Sequence, residues 1–291
     1  MIRSGFARAG AWRWHYRIAG AADAPPVMLL HGFPEYSGMW AGVMDRIGAS
    51  FCAVAPDLLG YNLSDKPQDV VPYRTRLLVD DLDDFARAFT GARPFTLVAD
   101  DWGGALAWAY ALRHPRRLAR LVIVNAVHPA IFQRELAANP AQAAASGYIA
   151  AIRAEGSEAA FASDDFARLR FSFRRVEAQG LLTAAALAGY RRAWREPGAL
   201  TGMFNWYRAM RITAPGETAA PVVAPDLRRL TVEVPTHVLW GEQDDALLPG
   251  CLDGLEQFVP DLKVTRFPGG SHWLVHEEPE AVARAILDPA P

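Results

Sequence analysis

A succession of short apolar runs, each closed by turn-forming residues and separated by amphipathic stretches, does most to limit the folds open to this chain. Pro26-Val27-Met28-Leu29-Leu30 is the clearest, bounded by proline on one side and Gly32 on the other. Runs over residues 51–56, 95–99, 121–124 and 237–240 have the same character, and the strand rhythm returns once more at 262–267. Continuous apolar runs of this length suit strands buried on both faces, as in a parallel sheet covered by helices. Helical patterns lie between them, at 39–47, 105–112 and 279–287, and at 75–89 with Leu77, Leu78, Leu82, Phe85 and Phe89 on one face. Residues 6–8 and 13–18 read as a hairpin turned around Gly10. After Val127 the rhythm stops. From Pro129 to about Thr213 the sequence is Ala-rich and helical, without a convincing buried strand. The expected fold class is therefore α/β, a mostly parallel sheet with a helical insertion after the sixth strand. The core would comprise residues 1–128 and 214–291, and the cap residues 129–213. The stretch from Ala214 to Pro225 reads as the linker back to the core.

Bulk properties remove several classes of function. The 291 residues carry a net charge of -2, so no basic field is available for nucleic acid or an anionic membrane. Two distant cysteines, Cys52 and Cys251, do not make a disulfide framework, which favours a reducing cytoplasm. The N-terminus lacks a signal-peptide pattern, and no apolar run is long enough to span a bilayer. No metal-ligand spacing occurs, and neither a metal nor a cofactor is expected.

The chemistry is concentrated at strand ends. In Leu97-Val98-Ala99-Asp100-Asp101-Trp102-Gly103-Gly104, Asp101 sits between a strand and a helix, with small residues two positions away on each side. A sharp strand-to-helix turn needs small neighbours so that its central side chain can stand clear. A carboxylate there can displace a leaving group and form an ester. Taken alone, Asp101 reads more readily as a helix cap, since capping carboxylates are common. Three further motifs, each at a strand end, add weight. His31-Gly32-Phe33-Pro34-Glu35 follows the Pro26–Leu30 run, so the backbone N–H groups of Phe33 and Trp102 can form an oxyanion hole. Pro268-Gly269-Gly270-Ser271-His272-Trp273 offers a histidine on a glycine-rich loop. Trp240-Gly241-Glu242-Gln243-Asp244-Asp245 offers two aspartates to support it. The order nucleophile, acid, histidine is that of α/β-hydrolases, and no G-x-S-x-G for a serine esterase occurs.

These residues resemble the epoxide hydrolase branch of the α/β-hydrolase superfamily over nearly the whole chain. The matches extend to Pro56-Asp57-Leu58-Leu59-Gly60-Tyr61 and Ser64-Asp65-Lys66-Pro67. The resemblance implies that Asp101 attacks an epoxide carbon, and that His272 with Asp244 activates water to hydrolyse the ester. It makes Asp245 a spectator and Asp57 a scaffold residue. It also implies two cap tyrosines that hold the epoxide oxygen, matched by Tyr148 in Ser146-Gly147-Tyr148 and Tyr207 in Asn205-Trp206-Tyr207-Arg208. Otherwise both tyrosines are packing residues with their hydroxyls in water. His31, Pro34, His128, Trp206 and Trp273 are expected around the substrate pocket, the two tryptophans alternatively in the core. His276 reads as structural, and His15, His114 and His237 lie outside any motif. The implied partners are a small epoxide and water, for a monomer or homodimer.

One departure stands out. Where that branch usually has histidine before the nucleophile, this chain has Asp100, which strand alternation should turn away from Asp101. Two other readings keep the same scaffold. A haloalkane or haloacetate dehalogenase would use the same triad. However, Phe33 replaces the expected second halide donor, and Trp102 and Ala105 stand where arginines would bind a carboxylate. A non-catalytic ligand binder would commonly have lost a triad residue.

Overall fold

A computed structural model describes residues 1–210, 212 and 230–288. The proposed linker from Ala214 to Pro225, and the cap boundary at Thr213, lie outside the described residues. The eight strands are β1 (Arg3–Ala9), β2 (Trp12–Ala19), β3 (Pro26–Leu30), β4 (Cys52–Pro56), β5 (Phe95–Asp100), β6 (Leu118–Val124), β7 (Thr236–Gly241) and β8 (Leu262–Phe267). They form one sheet in the order β1-β2-β4-β3-β5-β6-β7-β8. The β1–β2 and β2–β4 pairs are antiparallel, and every later pair is parallel. Every residue of β3, β4 and β7 is buried, as their unbroken apolar runs require. Edge strand β8 keeps a half-exposed pattern.

Side chains alternate between two apolar layers. Met28, Leu30, Leu97, Ala99 and Ile123 face one, and Val27, Leu29, Val98, Val122 and Val124 face the other. The first layer is closed by α2 (Thr75–Thr90) and α3 (Asp101–Arg113), the second by α1 (Ala41–Ile47) and, late in the chain, by the helix Pro279–Leu287.

Between β6 and β7 the described residues hold only helices: α4 (Pro129–Ala138), α5 (Pro140–Ala145), α6 (Tyr148–Arg153), α7 (Ser157–Ser172, broken at Ser163–Phe166), α8 (Arg174–Ala178), α9 (Ala184–Arg195) and α10 (Ala199–Ala209). The short α11 (Leu274–Glu277) and then α12 (Pro279–Leu287) end the fold. Among the described residues no helix is long and apolar enough to cross a membrane. β4 lies on one side of β3 and β5 on the other, so the strand order reverses between β3 and β5. Such a reversal opens a crevice at the carboxyl ends of the strands. The loops carrying His31–Pro34 and Asp101 leave the sheet there.

Candidate active site

Asp101 follows β5 directly and opens α3 with φ at 47°, a conformation unusual for a residue with a side chain. The turn is possible because Gly103 lies against the β3 end: a Cβ on it would stand 2.6 Å from the carbonyl oxygens of Leu30 and His31. Gly32 meets the Asp101 side chain as closely. The result is a carboxylate raised above the sheet with its backbone held from below. Phe33 N–H donates to Asp101 Oδ1 at 2.6 Å, and the backbone N–H of Trp102 also bonds the carboxylate. The two donors expected to form an oxyanion hole therefore converge on Asp101 itself. Burial pushes the Asp101 carboxyl above its ordinary range, against the opposing pull of His272 and the two N–H groups.

His272 Nε2 stands 3.8 Å from Asp101 Oδ2, and His272 Nδ1 donates to Asp244 Oδ2 at 2.8 Å. Asp244 is saturated: Oδ1 accepts from the N–H groups of Ala246 and Leu247, each at 2.8 Å, and Oδ2 also accepts from Asn125 Nδ2 at 2.7 Å. Desolvation opposes charge on His272, but Asp244, Asp101 and Asp100 together hold its imidazole well above the usual histidine range. Asp245 points to the surface and pairs with Arg174 at 2.5 Å. Asn125 was not singled out by sequence reasoning. Its Oδ1 accepts from Gly241 N–H at 3.1 Å, which ties the end of β6 to β7 beneath Asp244. The only signal was its position just after an apolar run.

The insertion supplies the roof. Tyr148 opens α6, and Tyr207 lies in α10. Their rings meet edge to face at 6.0 Å, and their hydroxyls hydrogen-bond. Tyr207 packs on Phe33 at 5.2 Å and Trp102 at 4.9 Å, and the Trp102 side chain bonds its hydroxyl. Burial raises both phenols, helped by the Asp101 charge. Tyr148 keeps 36% of its surface open because it forms cavity wall, while surrounding protein still desolvates its hydroxyl. Two cavities, of about 580 and 340 Å³, share Asp101, Tyr148 and Tyr207 in their linings. His272 and Trp273 face the larger, and the smaller is lined mostly by apolar side chains such as Phe132 and Leu112.

Four residues expected around the pocket line neither cavity. His31 is fully buried: Nδ1–H donates to its neighbour's carbonyl (Gly32 O, 2.9 Å) and Nε2 accepts from Leu58 N–H at 3.0 Å, joining the loops after β3 and β4. Pro34 is buried, and its carbonyl accepts the Trp194 indole N–H at 2.7 Å. His128 caps α4 and stacks on Phe258 at 4.7 Å, where burial lowers its imidazole to about 4. Trp206 donates its indole N–H to Leu59 O at 2.8 Å, pinning α10 to the core. All four are tied down by hydrogen bonds beneath or beside the site. His15, outside any motif, bonds Asp57 at 2.7 Å as scaffold.

The profile of the α/β hydrolase fold matches residues 25–279. An α/β-hydrolase superfamily protein of Bacillus subtilis is 33% identical over 94% of this chain and 93% of its own. Epoxide hydrolase 4 of Mus musculus is 30% identical, covering 93% of this chain and 74% of its own. The crystal structure of a Bacillus megaterium epoxide hydrolase with an inhibitor superposes with a TM-score of 0.87 at 30% identity, covering 97% of this chain and 98% of that one. This chain belongs to the epoxide hydrolase branch of the α/β-hydrolase superfamily. Within that branch, Asp100 remains the residue whose surroundings differ from expectation. Alternation along β5 does turn it to the Val98 face, where burial pushes its carboxyl well above the ordinary range, with His272 opposing and the charges of Glu35, Asp101 and Asp244 adding to the shift.

Proposed function

We propose that this epoxide hydrolase family member converts epoxides to vicinal diols through an ester on Asp101, with the helices of the insertion acting as a cap. The reading rests on one observation: a carboxylate with a free oxygen 3.8 Å from an acid-supported imidazole, under two buried phenols that share its cavities. Asp101 Oδ2 attacks an epoxide carbon, and the carbon–oxygen bond breaks. The alkoxide is too basic to depart unaided, so Tyr148 and Tyr207 donate hydrogen bonds and one gives up its proton. The charge on Asp101 is then gone, and with it one of the influences that hold His272 protonated. The imidazolium then passes its proton through solvent to the phenolate, and the neutral imidazole can act as base in the second step. His272 Nε2 takes a proton from water, whose oxygen attacks the Asp101 carboxyl carbon. The oxyanion develops on Oδ1, where the Phe33 N–H already points, with the Trp102 N–H also turned to the carboxylate. Collapse, with the proton of the added hydroxyl passing to the leaving alkoxide, releases the diol and restores the Asp101 carboxylate beside a protonated His272, as at the start.

Halide release is less well supported. The Trp102 side chain is engaged with Tyr207, and the phenols suit an oxygen leaving group. A panel of styrene-type, aliphatic and fatty epoxides, run beside haloalkanes and haloacetates, tests the reading. Diol from at least one epoxide class with no halide release is expected. Halide release with every epoxide ignored would overturn it.

A further inference from the structure

The insertion helix α9 sends two polar groups into the loop that carries the Phe33 N–H. Tyr190 and Trp194 stand four residues apart on it, so they share one helix face, and both are buried. The Trp194 indole N–H donates to Pro34 O at 2.7 Å, and the Tyr190 hydroxyl donates to Glu35 Oε1 at 2.6 Å. The insertion thus bonds the two residues that directly follow Phe33. His276, on α11 and four residues beyond His272, donates from Nε2 to the same Glu35 oxygen at 2.6 Å. A second line of contacts leaves the same face of α9. The Phe173 ring lies 4.8 Å from that of Tyr190 and 6.1 Å from that of Trp194. It also lies 4.4 Å from the Trp273 ring, which stands 5.3 Å from the His272 imidazole. One face of α9 therefore bonds the oxyanion-donor loop directly and reaches the neighbour of the base through Phe173.

We infer that Tyr190 and Trp194 are positioning residues for the hydrolytic step, acting through Glu35 and the Pro34 carbonyl to hold the Phe33 N–H on Asp101 Oδ1. Their effect falls on one step because of the charge on Oδ1. While Asp101 attacks, its carboxylate turns into a neutral ester, and the hydrogen bond to Oδ1 weakens on the way to the transition state. A contact that is not stronger in the transition state does not accelerate that step. During hydrolysis the ester carbonyl becomes an oxyanion, and the same hydrogen bond strengthens. A loop released from α9 therefore leaves ester formation unslowed and penalises ester decay. The insertion then divides between the two steps. Tyr148 and Tyr207, on α6 and α10, serve formation, and α9 serves decay.

The inference rests on the ester mechanism proposed above, and the test separates the two. Single-turnover rapid-quench mass spectrometry of the Asp101 peptide with styrene oxide follows both steps in the wild type, Trp194→Phe, Tyr190→Phe and Leu187→Ala. Each phenylalanine variant keeps an aromatic ring and removes one donor to the loop. Ester decay is expected to slow by about 5–50-fold in each, less than the roughly 10²–10³ lost when an oxyanion donor is deleted outright. Formation should stay within about twofold of the wild type, because Oδ1 loses charge in that step. More ester should accumulate in both variants as a result. Leu187 is buried on the same helix and has no polar side-chain atom to hold the loop. Leu187→Ala should accordingly loosen α9 and leave the ratio of the two rates at its wild-type value. Equal slowing of both steps in the phenylalanine variants, wild-type decay in either, or the same selective loss in Leu187→Ala would overturn the positioning role and leave the ester mechanism standing. Absence of any ester in these proteins and in His272→Gln would overturn the mechanism and the inference with it.

Discussion

The strand ends and the helical insertion both contribute to one cavity, but they hold their groups in different ways. At the strand ends each carboxylate or imidazole is fixed by hydrogen bonds: Asp101 by Phe33 and Trp102, His272 by Asp244, and Asp244 by two N–H groups and Asn125. In the insertion, Tyr148 and Tyr207 are held mainly by ring edges, against each other, Phe33 and Trp102. Charges need their donors preorganised, because reorganising dipoles during reaction costs energy. Phenols that share a developing charge tolerate a softer mount. Losses at the strand ends should accordingly be larger and step-specific, and losses in the insertion smaller and partly shared.

The sharpest way to break this contrast is Asp101→Asn. An amide cannot form the ester, so turnover is expected to fall by about 10⁵–10⁶, as when a nucleophile is removed from a triad. Initial rates on fresh protein, with deamidation excluded by mass spectrometry, provide the measurement. Next comes Asp244→Asn, which removes the acceptor that orients His272. It should slow ester hydrolysis by roughly 10³–10⁴, whereas surface-paired Asp245→Asn should stay within about twofold. Single-turnover kinetics of the two variants rank them, and the reverse ranking would mean that the acid has been misassigned.

Tyr207→Phe probes the other region. Loss of one donor to a developing oxyanion typically costs about 10²–10³ in rate, and that loss should fall on ester formation alone. Tyr148→Phe should cost less, because Tyr207 is the phenol also bonded by Trp102. The double variant is expected to lose less than the product of the single losses if the pair acts as a unit. Full multiplicativity would make the phenols independent and remove the distinction between the two regions.

The same contrast explains what could be read from the sequence. The buried strands and the strand-end motifs were legible because a parallel sheet demands apolar runs and a sharp turn demands glycine at fixed spacing, as at Gly103. Asn125 was not legible: it supports Asp244 from another strand, and no local pattern marks such a contact. His31, Pro34, His128 and Trp206 are expected at the pocket from their place in the chain, yet each is held by a hydrogen bond to neighbouring backbone or loops. Strand alternation gave the direction of Asp100 but not its company, because Glu35 arrives from a loop 65 residues earlier.

The central claim is that Asp101 becomes an ester which His272 is needed to hydrolyse. The direct measurement is intact-protein and peptide mass spectrometry of His272→Gln after incubation with an epoxide that the wild type turns over. A persistent mass increase equal to the epoxide, on the peptide containing Asp101 and absent from the Asp101→Asn/His272→Gln double variant, is the predicted result. Steady diol production by His272→Gln with no adduct, or an adduct that survives loss of Asp101, would contradict the account.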